Sequence, residues 1–289
     1  MNKVFLPRTV AELWSFLEEE PEAHVYAGGT DLLVRMRARE EKPPALICME
    51  RIGELQGVRE ETSGLWIGAC TPHRRLLDDP LIQGHLPVLA KALRILGSPQ
   101  IRNMGTLGGN ICTASPAGDC LPPLYILDAV VEIRSPNAVR TLPINSFIVG
   151  PEKTQLQRGE ILAGVLVKRP PNFNIQFFEK VGQRKAMAIA VASLAALLRV
   201  SPSGMIEEAR LAWGSVGPTV VRSGIVEAAL EGEPLSSITL EKLSPIARQA
   251  VSPIDDLRAS ADYRRTVAGN LILRLAENIM IPPRPLPPS

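Results

Sequence analysis

The chain has 289 residues, 45% of them apolar, with 32 Lys and Arg against 30 Asp and Glu for a formal net charge of +2. That is enough chain for a globular protein with a full core and two domains or subdomains. The near-balanced charge excludes the broad positive field with which a protein collects nucleic acid, and no apolar stretch is long and charge-free enough to span a bilayer.

In chain order, the opening segment Met1-Asn2-Lys3-Val4-Phe5-Leu6-Pro7 ends its apolar run at a proline and soon turns acidic at Glu18, Glu19 and Glu20, unlike a signal peptide. Thr9-Val10-Ala11-Glu12 has the spacing of a capping box, and Leu13, Trp14, Phe16 and Leu17 follow at helical intervals until Pro21, which predicts a first amphipathic helix. His24-Val25-Tyr26-Ala27 then reads as a short buried strand, Gly28-Gly29-Thr30 as a turn, and Asp31 to Arg39 as a helix. Short apolar runs at 45–48 and 65–68 alternate with turn residues, and Leu76 to Leu96 has helical spacing with breaks at Pro80 and Pro87. Strands are predicted at Val130 to Ile133 and Val165 to Val167, and Pro170-Pro171-Asn172 marks a domain boundary.

Beyond it, Phe173 to Val181 and Ala186 to Val200 are apolar, Ala209 to Trp213 reads as a further strand, and helices are predicted at 223–230, 240–250 and 261–279. The closing Pro282-Pro283-Arg284-Pro285-Leu286-Pro287-Pro288 suits neither helix nor sheet and is an extended tail, a frayed end or a peptide that docks on a partner. Cys48, Cys70, Cys112 and Cys120 are scattered without a CxxC pair, which argues against a disulfide framework. Cys112 and Cys120 would need two more ligands to hold a metal, and the chain has only His24, His73 and His85. Buried thiols, no metal and a reducing cytoplasm are therefore expected.

Two segments carry chemistry. Backbone amides hold phosphate only where nothing bulky stands between N–H and anion, so glycine-rich loops that open a helix are suited to it. Gly28-Gly29-Thr30-Asp31 has that form, with Thr30 as an added hydroxyl donor; a tight strand-to-helix turn is its ordinary alternative. Thr106-Leu107-Gly108-Gly109-Asn110 and the small polar residues after it suggest a second amide cradle for the other side of a pyrophosphate. Asp119 could accept from two sugar hydroxyls there, and Pro116-Ala117-Gly118-Asp119 is otherwise a surface turn. Neither loop is a GxGxxG or GxxxxGK[ST] motif, so a different nucleotide fold is implied.

Ala27-Gly28-Gly29-Thr30-Asp31-Leu32-Leu33 together with Thr106 to Asp119 resembles the FAD-binding (medium) subunit of the molybdenum hydroxylases, the xanthine dehydrogenase and carbon monoxide dehydrogenase family. The likeness continues through Gly150-Pro151, Gly159-Glu160-Ile161-Leu162, Phe178-Glu179-Lys180-Val181, Ala209 to Pro218 and Ser260-Ala261-Asp262-Tyr263-Arg264. It implies an α+β protein: a vanillyl-alcohol-oxidase (PCMH)-type FAD-binding domain at 1–170 in two subdomains, about 1–55 and 56–170, then a C-terminal α+β domain at 171–280, a small antiparallel sheet with helices. The tail, 281–289, lies outside it.

For the site, the resemblance implies FAD, with Val25, Tyr26, Ala27, Gly28, Gly29, Thr30, Asp31 and Leu32 wrapping the pyrophosphate and Thr106, Leu107, Gly108, Gly109 and Asn110 meeting it from the other side. Asp119 would hold the nucleotide, Leu96 and Leu162 would line the cofactor, and Lys180 would stand near it. Core packing is the plain alternative for the two leucines, and a solvated strand charge for Lys180. The resemblance further implies a small iron–sulfur subunit and a large molybdenum-cofactor subunit as partners, with electrons crossing [2Fe–2S] clusters to this FAD and on to an acceptor such as NAD. Without the fused iron–sulfur and molybdenum domains, the chain is expected to be the separate subunit of bacterial assemblies, and without a cysteine-bearing insertion it is expected to hold no cluster.

Gly105-Thr106 and Leu211-Ala212-Trp213-Gly214 lean toward the xanthine dehydrogenase side, with carbon monoxide, aldehyde and N-heteroaromatic dehydrogenase subunits as alternatives. No catalytic acid or base is expected. Rival readings are a stand-alone flavin oxidase, a nucleotide-binding transferase and a cofactor-free scaffold. The first needs an acid/base constellation, the second a phosphate-reaching Lys or a metal-binding acid in motif form, and neither is visible.

Overall fold

The computed structural model describes residues 3–40, 42–169, 173–184 and 187–280. The expected boundary at 170–172, Ala186 at the head of the second apolar run, and the proline-rich tail lie outside the described residues.

The first part consists of β1 (Lys3–Phe5), α1 (Val10–Glu19), β2 (His24–Tyr26), α2 (Leu32–Arg39) and β3 (Ala45–Cys48), with the strands in the order β1-β3-β2 and both pairings parallel. Thr9 Oγ1 accepts from the Glu12 amide at 3.1 Å, and the Glu12 carboxylate reaches back to the Arg8 amide at 2.7 Å, one residue before the cap. Leu13 on α1 is fully buried against Ile47 and Ile52.

The second part is an antiparallel sheet, β4-β5-β10-β6-β7, made of β4 (Val58–Glu61), β5 (Gly64–Gly68), β6 (Val130–Arg134), β7 (Val139–Pro143) and β10 (Ile161–Val167). Between β5 and β6 run α3 (His73–Asp78), α4 (Pro80–His85), α5 (Pro87–Ile95), α6 (Pro99–Met104), α7 (Leu107–Thr113) and α8 (Leu121–Ile126). Pro80, Pro87 and Pro99 each stand in the first turn of a helix, where a missing N–H costs nothing, so the prolines divide one helical stretch into short pieces. After β7 come α9 (Ile144–Phe147) and a small hairpin of β8 (Ile148–Gly150) and β9 (Lys153–Thr154).

The C-terminal part is an antiparallel sheet in chain order, β11 (Ile175–Gly182), β12 (Ala190–Val200), β13 (Ile206–Gly214) and β14 (Val221–Arg222), followed by α10 (Gly224–Leu230), α11 (Ser237–Ala250) and α12 (Ala261–Leu273). Its apolar strands are explained by burial on both faces. Ala195, Leu197 and Ala212 belong to the core under α5 and α8, whereas Leu194, Ala196, Leu198, Leu211 and Trp213 belong to the core under α11 and α12. The predicted helix at 261–279 ends as an α-helix at Leu273 and continues as a 3₁₀ segment, Arg274–Met280. No helix among the described residues is long and apolar enough to cross a membrane.

Candidate functional site: two loops and a domain junction around one cavity

Strand β2 ends at Tyr26, and the turn that follows lies at the carboxyl edge of the parallel β2–β3 pair, the edge at which such sheets place ligands. Gly29 has φ +67°, a conformation costly for any side chain-bearing residue. Asp31 stands at the N-cap of α2 but does not cap it. Its Oδ2 instead accepts from the Thr113 hydroxyl at 3.0 Å and sits 3.0 Å from Arg35 Nε. Among the described residues, no protein acceptor meets the amides of Gly28, Gly29, Thr30, Asp31 and Leu32. Five neighbouring N–H groups are thus free to hold an anion.

The second glycine segment is built differently, because residues 107–113 are helix α7. Thr106 Oγ1 caps the Gly109 amide at 3.1 Å, and Asn110 N reaches Thr106 O at 3.0 Å. Leu107 N donates to Thr71 O and Gly108 N to Ala69 O, so the expected second amide cradle is spent on stitching α7 to residues 69–71. Gly108 is required by that stitch, since a Cβ would lie 2.6 Å from Ala69 Cβ. This segment offers side chains to the cavity, and Asn110 Oδ1 is buried without a partner.

The loops meet where a Cβ on Gly28 would stand 1.7 Å from the Met104 carbonyl oxygen. Between them opens a cavity of about 470 Å³, within the range of cofactor sites. A smaller one of about 140 Å³ adjoins it, lined mostly by apolar groups including Met49, Leu156 and Leu162.

Asp119 lies at the far wall, immediately before α8, and Lys180 reaches it from β11 across the junction of the two parts of the fold. Their N–O separation is 2.6 Å, and both side chains are about nine-tenths buried. Lys180 also donates to Ile95 O at the end of α5, where a cation is favoured. Burial pushes the Asp119 carboxyl above the ordinary carboxylate range, and Lys180 works against that push. Asp119 Oδ1 remains buried with no partner. A third orphan, His73 Nδ1 on α3, lines the same cavity.

Of the residues expected at the site, Val25 through Leu32, Leu96, Thr106, Gly109, Asn110 and Asp119 line the larger cavity. Gly108 and Leu162 line the smaller one. Lys180 lines neither and acts on the site through Asp119, so it is no ordinary solvated charge. The Leu107 side chain is fully buried in the core and also lines neither. Sequence reasoning missed Arg35, His73, Ser115 and the segment 187–189. In the sequence, Ser115 lies within the segment Thr106 to Asp119 without a role of its own, and His73 counts only as one of three histidines for a metal.

The residues fit a dinucleotide on these observations alone: unspent amides for a diphosphate, orphaned acceptors for hydroxyls, and an apolar side cavity. The comparisons with known proteins agree. Residues 1–170 match the FAD binding domain in molybdopterin dehydrogenase, and residues 177–279 match the CO dehydrogenase flavoprotein C-terminal domain. The chain is 36% identical over 258 residues to the xanthine dehydrogenase FAD-binding subunit of Escherichia coli O157:H7, covering 89% of this chain and 88% of that one. It is 32% identical over 269 residues to the carbon monoxide dehydrogenase medium chain of Hydrogenophaga pseudoflava, covering 93% of each. Its fold superposes on quinoline 2-oxidoreductase from Pseudomonas putida 86 with a TM-score of 0.91 at 26% identity, covering 97% of this chain and 99% of that one. The chain therefore belongs to the FAD-binding medium subunits of the molybdenum hydroxylases, as an oxidoreductase flavoprotein subunit.

Proposed function

We propose that this chain passes electrons from the [2Fe–2S] clusters of a small partner subunit to an external acceptor such as NAD, while a large molybdenum-cofactor subunit oxidises the substrate. FAD supplies, when bound, the capacity to take electrons singly and release them singly or as a hydride. The chain's own residues bind and orient it. Gly28 to Leu32 hold the diphosphate on their amides, Thr106, Gly109 and Asn110 close the other side, Asp119 accepts from sugar or ribityl hydroxyls, and Leu162 lines the apolar side cavity. The single observation that carries this reading is the run of five unspent amides opening onto a cavity where Asn110 Oδ1, Asp119 Oδ1 and His73 Nδ1 are also buried without partners.

We place the working division at 1–170 for FAD binding and 171–280 for the C-terminal domain, in a cytoplasmic complex. A xanthine dehydrogenase assignment is favoured by the E. coli relative. Relatives named for carbon monoxide and nicotinate are nearly as similar, which agrees with substrate choice residing in the molybdenum subunit. Purified protein should carry flavin absorption near one FAD per chain, and a colourless chain that ignores added FAD overturns the reading. Co-purification with a small iron–sulfur protein and a large molybdenum protein, and NAD reduction by that complex with purines rather than aldehydes, test the finer part.

A further inference from the structure

His73 is 3% exposed, and its imidazole makes no hydrogen bond among the described residues. The backbone locks it in place: its amide donates to Gly105 O at 2.8 Å, and Pro72 bridges to Thr106. The ring stands at the seam of the two loops, because a Cβ built on Gly105 would lie 3.2 Å from both His73 Cδ2 and Thr30 Oγ1. Thr30 belongs to the loop whose amides are unspent, and the group that satisfies those amides is an anion. We propose that His73 is a further cofactor-binding residue, its imidazole bonding the diphosphate of FAD between the two loops and taking up a proton as FAD binds. This rests on the FAD reading above.

The surroundings support the proton linkage. Burial first, and the Arg102 guanidinium second, hold the imidazole down to about 4, so it is neutral before an anion arrives. Arg102 faces it from α6 and is itself turned to Leu96 O and Gly97 O. The charges on the other elements packed against α3 are His85 on α4 and Lys91 and Arg94 on α5, with Lys91 engaged by Gln176 O. On α3 itself Arg74 is paired to Asp78 and Arg75 donates to Gln56. Across the cavity Asp31 and Arg35 pair with each other, and Asp119 pairs with Lys180. Among the described residues no anion is left over to charge the ring, whereas a diphosphate within hydrogen-bond reach favours the protonated form. An orphaned buried nitrogen is costly to maintain, and a ligand that satisfies it recovers that cost.

The test is calorimetry of FAD binding to the full flavin-free chain in buffers of different ionisation heat, between about pH 5 and pH 7, together with phosphorus NMR of the bound FAD. Wild-type protein should take up protons on binding, and the bound diphosphate resonances should titrate over the same range. His73→Gln should bind about 10- to 100-fold more weakly, the loss expected for one hydrogen bond to a charged group, with neither proton uptake nor a titrating resonance. Its melting curve without flavin shows whether it folds, and the wild-type proton count and NMR titration need no variant. Wild-type binding without proton uptake, or equal uptake in His73→Gln, overturns the proposal. Failure of wild-type protein to bind FAD at all overturns the underlying reading instead.

Discussion

The glycines of the two loops do different work. A Cβ on Gly28 would collide with the Met104 carbonyl, so Gly28→Ala should push the loops apart, costing about 1–3 kcal/mol and most of the bound flavin. Gly109 has only Thr106 Oγ1 near its would-be Cβ, at 3.1 Å, and it lies in a helix, where Ala is preferred. Gly109→Ala should therefore stay within about 1 kcal/mol of wild type while lowering flavin content, because the added methyl enters the cavity lining. Melting temperature read beside the flavin-to-protein ratio separates the two cases, and a joint fall in both for Gly109→Ala would contradict the assignment. The Asp119–Lys180 pair is sensitive in another way. A carboxyl whose folded pKa lies above its unfolded value favours the fold while protonated, and loses that contribution as pH rises through the folded pKa. Lys180→Met removes the influences that hold Asp119 down, so its pKa should climb further. The deficit should reach about 3–5 kcal/mol near neutrality, as for other broken buried pairs, and shrink as Asp119 becomes protonated in acid. Melting curves across that range check it, and a deficit independent of pH would be the contrary result.

At the scale of elements, legibility followed how local the determinants are. The α1 capping box, the strand–glycine–helix order at 24–39 and the proline breaks at 80 and 87 were readable because each rests on residues within a few positions of one another. Helix α7 was not, since Leu107-Gly108-Gly109-Asn110 is a poor helical sequence and stands only because Thr71 O, Ala69 O and Thr106 take its first amides. The edge strand Val58–Glu61 ends in exposed charge, and Val139–Pro143 ends in proline, which hid both. In the site, the first loop and Asp119 stood out by residue type, whereas the arrival of His73 and Arg35 at the same cavity depends on helix packing that no local motif encodes. If α7 depends on its cap, Thr106→Val should destabilise the chain by about 1 kcal/mol and reduce flavin occupancy by freeing the segment that closes the cavity. Hydrogen exchange at 107–110 measures this directly, and unchanged protection there would show that the stitch to residues 69–71 suffices alone.

Over the whole molecule, the C-terminal sheet packs one face against the helices of the second part and the other against its own helices. Leu197 faces the core that contains Leu89, Leu93 and Leu124, while its neighbour Leu198 faces the core that contains Leu240, Leu271 and Ile272. Polar clamps reinforce the shared wall: Asp128, with φ +48°, receives Arg210 at 2.6 Å and Arg222 at 2.9 Å, and Lys91 and the Val88 amide both meet Gln176. Neither face of the sheet can be uncovered without exposing buried leucines and alanines and breaking these clamps, so residues 1–170 and 177–279 should behave as one cooperative unit. Calorimetric unfolding of the flavin-free chain should give one transition with equal calorimetric and van't Hoff enthalpies. Leu197→Ala and Leu198→Ala should each lower that same transition by about 2–5 kcal/mol, although their side chains lie in different cores. Two resolved transitions, with each variant moving only one, would mean that the sheet divides the molecule rather than joining it. The Asp119–Lys180 bridge would then be a hinge contact, and FAD occupancy in the Lys180→Met chain would fall before either half unfolds.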